Sequence, residues 1–153
     1  MFHIVLYEPE IPPNTGNIIR LCANAGSQLH LIKPLGFSLN EKKLLRAGLD
    51  YHEFVQLKTY ENYTDFIQRT QFNQIYAVST KGQKGYHEIA YQSNTAFLFG
   101  PETRGLPDSI LKLYDNNTIL RVPMSSTSRS LNLSNCVAII LYEALRQNQF
   151  CID

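Results

Sequence analysis

The sequence predicts an α/β fold with a mainly parallel sheet flanked by helices. Short, nearly continuous apolar runs at residues 2–7, 28–32, 74–79 and 95–99 read as strands buried on both faces. Segments of helical periodicity alternate with them, as βαβ units require. Two strand ends also pass abruptly into polar loops. Phe99 runs into Gly100-Pro101-Glu102-Thr103-Arg104-Gly105, and Val122-Pro123 leads to residues 125–130. Two such loops side by side would form a ligand site at the carboxyl edge of a sheet.

In chain order, residues 2–7 form the first central strand. Glu8-Pro9-Glu10-Ile11-Pro12-Pro13 follows as a loop, because three prolines fix the backbone and remove donors. Asn14 is expected to cap a helix with Ile18, Ile19, Leu21 and Cys22 on or near its inner face, ending at Gly26. Residues 28–32 are the next strand, and residues 41–48 a short helix carrying Lys42, Lys43 and Arg46. A strand at 54–57 and a helix at 60–69 with Tyr63, Phe66 and Ile67 inward come next. The strand at 74–79 opens into a glycine-rich loop at 80–85. After the strands at 95–99 and 118–124, a long helix over 131–147 closes the chain, with Leu133, Val137, Ile140, Leu141 and Leu145 at helical spacing. No repeat, low-complexity segment or linker divides the 153 residues, so a single domain over 1–153 is expected.

Composition narrows the function. Fourteen basic and thirteen acidic residues leave a formal charge of +1, so nucleic-acid binding cannot rest on a general positive field and needs a local patch or a second subunit. Cys22, Cys136 and Cys151 lack metal or redox spacing and read as free thiols of a reducing cytoplasm. Residues 1–7 look like a strand and not a signal peptide, and no apolar run reaches membrane-spanning length. His3, His30, His52 and His87 are scattered, and no Ser/His/Asp arrangement is evident. Metal-site and hydrolase chemistry are therefore disfavoured, and no metal is expected.

Three polar units remain. Asn14-Thr15-Gly16-Asn17-Ile18-Ile19-Arg20 opens a helix after a strand without the G-x-G-x-x-G fingerprint, which disfavours a nucleotide-binding oxidoreductase. Alone, Asn14 reads as a cap and Arg20 as a surface charge. Yet Arg20 lies beside Ile18, Ile19 and Leu21, where an arginine is paired or aimed at an anion. The Gly100–Gly105 loop holds an acid and a base between glycines, more than a simple reversal needs. In the third unit, Ser128-Arg129-Ser130-Leu131-Asn132-Leu133-Ser134-Asn135, the serines are candidate helix caps. Asn132 and Asn135 fall in the first helical turns, where asparagine is intrinsically unhelpful, and such a polar N-terminus suits a polar or anionic ligand.

Asn14-x5-Arg20, Gly100-x-Glu102-x-x-Gly105 and Ser130-Leu131-Asn132 resemble, in order, the three motifs of the ribose 2′-O-methylating branch of the SPOUT methyltransferases. Residues 4–17, Gly48-Leu49-Asp50-Tyr51-His52 and residues 128–135 are similar to the small enzymes that methylate the tRNA wobble nucleotide, and the resemblance spans essentially the whole chain. The main departures are the loop Ser125-Ser126-Thr127 and the tail after Gln147, which bear on substrate contacts more than on reaction type. The resemblance implies a carboxyl-terminal trefoil knot, with knot and pocket within about residues 75–150. It implies S-adenosylmethionine held near Val78, Gly100, Val122 and Ser130 with Leu120 and Leu131 as apolar walls, S-adenosylhomocysteine as product, and no metal. It also implies a cytoplasmic homodimer with active sites at the interface, acting on the anticodon stem-loop of leucine tRNAs. Catalysis would fall to Arg20, Asn14, Glu102, Ser130 and Asn132, with Glu102 as loop anchor or second-choice base, and RNA contact to Arg129, Tyr142, Lys81 and Arg104. Two copies of Lys42, Lys43, Arg46, Lys81, Lys84, Arg104 and Arg129 would line one groove. The same chemistry on ribosomal RNA, or a catalytically idle RNA-binding protein of this fold, are the alternatives.

Overall fold

A computed structural model describes residues 1–40, 42, 46, 50 and 57–152. Among them, seven strands form one sheet: β1 (His3–Tyr7), β2 (Gln28–Ile32), β3 (Leu57–Tyr60), β4 (Gln74–Val78), β5 (Lys84–Gly85), β6 (Thr95–Phe99) and β7 (Ile119–Arg121). The order is β3-β2-β1-β6-β4-β7-β5, and every pairing is parallel. After β4 the chain runs to the edge at β5, returns to insert β6 between β1 and β4, then crosses back to place β7 between β4 and β5.

Helices cover both faces, which explains the apolar strands. α1 (Pro12–Asn24) and α4 (Leu133–Gln147) pack together on one face, over Ile4, Leu6, Phe97 and Phe99. α2 (Tyr63–Arg69) and α3 (Asp108–Leu111) cover the other face, with Phe66, Ile110 and Leu111 against Val5, Ala96 and Leu98. Successive residues of β1 and β6 thus serve opposite cores, and all of Thr95–Phe99 is buried.

Several expected boundaries change. α1 begins at Pro12, with Ile11 as N-cap and prolines in the first turn, so Asn14 sits inside the helix rather than capping it. Asn132 is the N-cap of α4, accepting from Ser134 N at 2.9 Å and Asn135 N at 3.4 Å, so the serines upstream belong to the loop. α2 starts at Tyr63, capped by Asn62, because Tyr60 is already spent in β3; Ile67 is 42% exposed, not inward. β5 and α3 were not anticipated. The expected helix at 41–48 and strand start at 54–56 fall mostly outside the described residues, as does the Gly48-Leu49-Asp50-Tyr51-His52 motif apart from Asp50; Lys42 and Arg46 are described, helical and exposed.

His3 and His30 are packing residues and form a hydrogen-bonded relay. His30 Nδ1 meets the Tyr60 hydroxyl at 2.8 Å, His3 Nδ1 meets His30 Nε2 at 3.1 Å, and His3 Nε2 meets Asn94 Oδ1 at 3.1 Å. One proton on each ring satisfies all three contacts in a single direction, from Tyr60 to Asn94, so a further proton on His3 Nδ1 would confront the His30 Nε2–H. Burial pushes His3 from 6.5 to about 4 and His30 from 6.5 to about 3. The unfolded chain takes up these protons below pH 6.5 and the fold refuses them. Their contribution to stability is therefore complete above pH 6.5 and is lost progressively as the pH falls toward about 3. Denaturant midpoints are expected to fall between neutral pH and about pH 4. His30→Gln should lower the neutral midpoint and flatten that fall; an unchanged acid slope would count against the relay.

Candidate active site

The strands that flank the crossover end level with one another. Leu6 is paired with Phe99, Phe99 with Val78, and Val78 with Leu120, so four loops leave the sheet along one edge. Together with the start of α4 they enclose a cleft of about 580 Å³. Ile11 and Asn14 line one wall, and Val78, Ser79, Thr80 and Lys81 another. Residues 99–106 form an arch over it, and Val122, Met124, Arg129, Ser130, Leu131, Asn132, Leu133 and Cys136 complete it.

The arch is closed by its own backbone. Gly105 N donates to Pro101 O at 2.9 Å. A Cβ on Gly100 would lie 2.1 Å from Leu106 N, so glycine there is required by the protein's own chain, not only by whatever enters the cleft. Gly105 has φ +66° and open space around it, a purely conformational requirement.

Glu102 points from the arch into the start of α1. Its carboxylate accepts from Glu10 N at 2.8 Å, Ile11 N at 3.0 Å and Asn14 Nδ2 at 3.4 Å. The two backbone donors lie at the N-cap of α1 and just before it, where the helix dipole favours an anion. Asn14 is 94% buried in consequence: its Oδ1 accepts from Asn132 Nδ2 at 3.0 Å, and Asn132 Oδ1 caps α4. One hydrogen-bonded thread thus runs from the N-terminus of α1 through Glu102, Asn14 and Asn132 to the N-terminus of α4. Three residues expected at a common site meet, and both Glu102 oxygens are committed as acceptors.

The remaining expected residues divide. Val78, Gly100, Val122, Ser130, Leu131, Lys81, Arg104 and Arg129 all line the cleft. Leu120 does not: it is fully buried beneath, and its carbonyl accepts from Ser79 N at 2.9 Å. Tyr142 lies 43% exposed on α4 near Phe150. Arg20 is exposed on α1, six residues beyond Asn14, hence about 9 Å further along the axis and about a third of a turn round. It does not line the cleft of its own chain. Two rim cations carry acidic partners: Lys81 Nζ to Asp108 at 2.9 Å and Arg104 Nη2 to Glu8 at 2.6 Å.

Sequence reasoning passed over Glu8, Glu10, Thr103 and Cys136. The two acids could have been noticed, since Glu8-Pro9-Glu10 follows a buried strand directly. Burial pushes the Cys136 thiol up to about 11, so it is a neutral wall rather than a nucleophile.

A wholly parallel α/β sheet with a polar-threaded cleft at its carboxyl edge defines a ligand-binding enzyme architecture, and comparison with known proteins makes the class specific. Residues 1–142 match the model of the SpoU rRNA Methylase family. The chain belongs to the SpoU methylase family and is a methyltransferase. It is 54% identical over 150 residues to the tRNA (cytidine(34)-2′-O)-methyltransferase of Methylovorus glucosotrophus, covering 98% of this chain and 97% of that one. The protein of the same description from Escherichia coli K12 is 52% identical over 147 residues, covering 96% and 94%. A solved structure described as giving structural insights into the 2-OH methylation of C/U34 on tRNA superposes with a TM-score of 0.89 at 42% identity, over 97% of each chain. An AdoMet-bound rRNA methyltransferase from Sinorhizobium meliloti gives 0.81 at 28% identity, over 95% of this chain and 56% of that one.

Proposed function

We propose that this protein methylates the 2′-hydroxyl of the wobble ribose, on cytidine or uridine, in the anticodon loop of tRNA, with leucine isoacceptors as substrates by family resemblance. The observation that carries the reading is the thread joining Glu102, Asn14 and Asn132 across the cleft, in a chain about half identical to relatives bearing that description.

The cleft fits S-adenosylmethionine in chemical character. Val78, Val122 and Leu131 offer apolar walls for an adenosyl group, while Gly100, Ser130 and the neighbouring backbone offer polar contacts. Leu120 supports the floor from below. When bound, the cofactor supplies an electrophilic methyl group on a sulfonium. This chain must then hold the ribose and stabilise charge on its 2′-oxygen. Arg20 is assigned to that charge; because a guanidinium keeps its proton, a substrate phosphate or another group takes the proton from the hydroxyl. Asn14, Ser130 and Asn132 orient the ribose and Arg20. Glu102 anchors rather than abstracts, since its lone pairs face three donors.

Arg20 does not line the cleft of its own chain, so this reading requires a homodimer in which a second copy delivers it. Ile11, Leu131, Tyr142 and Phe150, all at least 40% exposed around α1, the cleft rim and α4, support such a face. Arg129 and Tyr142 are the proposed RNA contacts; Lys81 and Arg104 would have to exchange acidic partners to join them. The passage of β6 and β7 on either side of β4 supports the proposed trefoil knot, and tRNA as substrate implies a cytoplasmic location. No helix among the described residues is long and apolar enough to cross a membrane.

The test is methyl transfer from labelled S-adenosylmethionine to tRNA from cells lacking the protein, with nucleoside mass spectrometry. Label in 2′-O-methylcytidine or 2′-O-methyluridine at the wobble position is expected. Label confined to ribosomal RNA would replace the substrate, and absence of transfer together with absence of cofactor binding would overturn the reading.

A further inference from the structure

Glu8, Glu10 and Arg104 have no part in the chemistry above, yet the structure joins them. Glu8 directly follows β1 with φ 48°, a conformation that side chains rarely adopt, and its carboxylate meets Arg104 Nη2 at 2.6 Å. Two residues on, Glu10 accepts from the Thr103 hydroxyl at 2.8 Å and from Thr103 N at 3.4 Å. Glu102 reaches the opposite way, from the arch into the backbone at Glu10 and Ile11. The contacts are therefore reciprocal: three consecutive arch residues, 102–104, are each tied to the segment 8–11. That segment is itself braced. Gly36 N donates to Pro9 O at 2.9 Å, and a Cβ on Gly36 would lie 2.8 Å from Glu10 Cα. Glu8 N is held by Ile32 O at 2.9 Å. A rigid post thus stands beside an exposed arch.

We propose that Glu8 and Glu10, with Arg104 and Thr103, are positioning residues that clamp the 101–105 arch over the cleft, and that Arg104 serves the arch and not the RNA. The inference rests on the reading that the cleft takes S-adenosylmethionine. Arg104 is 53% exposed, and Glu10 and Glu102 lie beside Glu8 on the same rim. An RNA phosphate approaching Arg104 would displace one carboxylate and face the others, which favours the internal partner. The arch residues 101–105 line the cleft, so loosening the clamp acts on cofactor affinity first.

The experiment measures S-adenosylhomocysteine binding calorimetrically, and tRNA binding as a function of salt, on the full chain. Loss of one hydrogen bond of about 1 kcal/mol corresponds to about a fivefold weaker Kd. Arg104→Gln, Glu8→Ala and Glu10→Ala are each expected to weaken cofactor binding by about that factor. Tm should move little, and tRNA affinity and its salt slope should stay at parental values. Glu10→Gln keeps an acceptor for Thr103 and should restore cofactor affinity. The Glu8→Ala/Arg104→Gln double variant should bind no more weakly than either single one, as a coupled pair requires. The clamp is overturned if Arg104→Gln weakens tRNA binding and lowers its salt slope while leaving the cofactor untouched. Independent, multiplying effects of Glu8→Ala and Arg104→Gln would overturn it equally. A parent protein that binds no S-adenosylhomocysteine would instead remove the reading of the cleft, and the clamp with it.

Discussion

Arg20→Ala is expected to bind S-adenosylhomocysteine as tightly as the parent and to lose roughly three orders of magnitude in kcat, at the upper end of what one oxyanion-stabilising donor contributes. The two halves of that expectation have separate origins. Arg20 does not line the cleft of its own chain, so its removal leaves the walls around the cofactor intact. Its proposed work begins only when the ribose oxygen develops charge, and an interaction made only then appears in kcat and not in ground-state binding. The dimer adds a second readout. If the cleft of one copy uses Arg20 of the other, an inactive Arg20→Ala protein mixed with an inactive Asn132→Ala protein should recover activity. In random mixed dimers one site of two is whole, giving about a quarter of parental activity for equal mixing. Parental kcat in Arg20→Ala would sink the assignment. Absent complementation between two well-folded, exchanging variants would sink the shared site while sparing the residue.

How much of this was legible in the sequence depended on whether local chemistry had one solution. β2 and β6 were read to the residue, and β1 nearly so, because five-residue apolar runs between polar stops have few other places to go. The same local rules misplaced Asn14 and Asn132. Two prolines can start a helix without help, so α1 opened earlier and carried Asn14 inward, where only long-range contact satisfies it. Asn132, awkward inside a helix, is instead the cap. β5 and α3, at two and four residues, are too short to show a period, and their existence follows from neighbours already in place. Strand order lay beyond reach as well. The insertion of β6 between β1 and β4 contradicts the preference for sequential neighbours, and only the family resemblance pointed toward such a path. The three site motifs were visible because glycine, proline and paired asparagines are locally costly. The acids that hold the arch were not, since a glutamate after a strand has an easy alternative in water.

Gly100→Ala is expected to be the most damaging single-methyl change in the site. The new Cβ would sit 2.1 Å from Leu106 N and 2.3 Å from Gly105 C, both backbone atoms of the arch's far leg. No rotamer relieves that overlap; the two legs must part, which breaks the close approach on which the arch depends. Overpacking of this kind costs about 3 kcal/mol, and at 150 residues that corresponds to a fall in Tm of about 10 °C. The displaced arch carries Glu102 with it, so the thread through Asn14 and Asn132 loosens and S-adenosylhomocysteine binding should become undetectable at concentrations that saturate the parent. Gly105→Ala provides the contrast within the same arch. Nothing lies within 4 Å of its added Cβ, and its cost is only that of holding alanine at φ +66°, about 1 kcal/mol. Thermal unfolding and calorimetry on the pair therefore separate two reasons for a glycine: a large loss at 100 with a small one at 105 follows from contact, whereas equal losses would mean that backbone conformation alone governs both. Parental Tm and cofactor affinity in Gly100→Ala would show that the legs of the arch do not meet as described, and the account of how the cleft is built would fall with them.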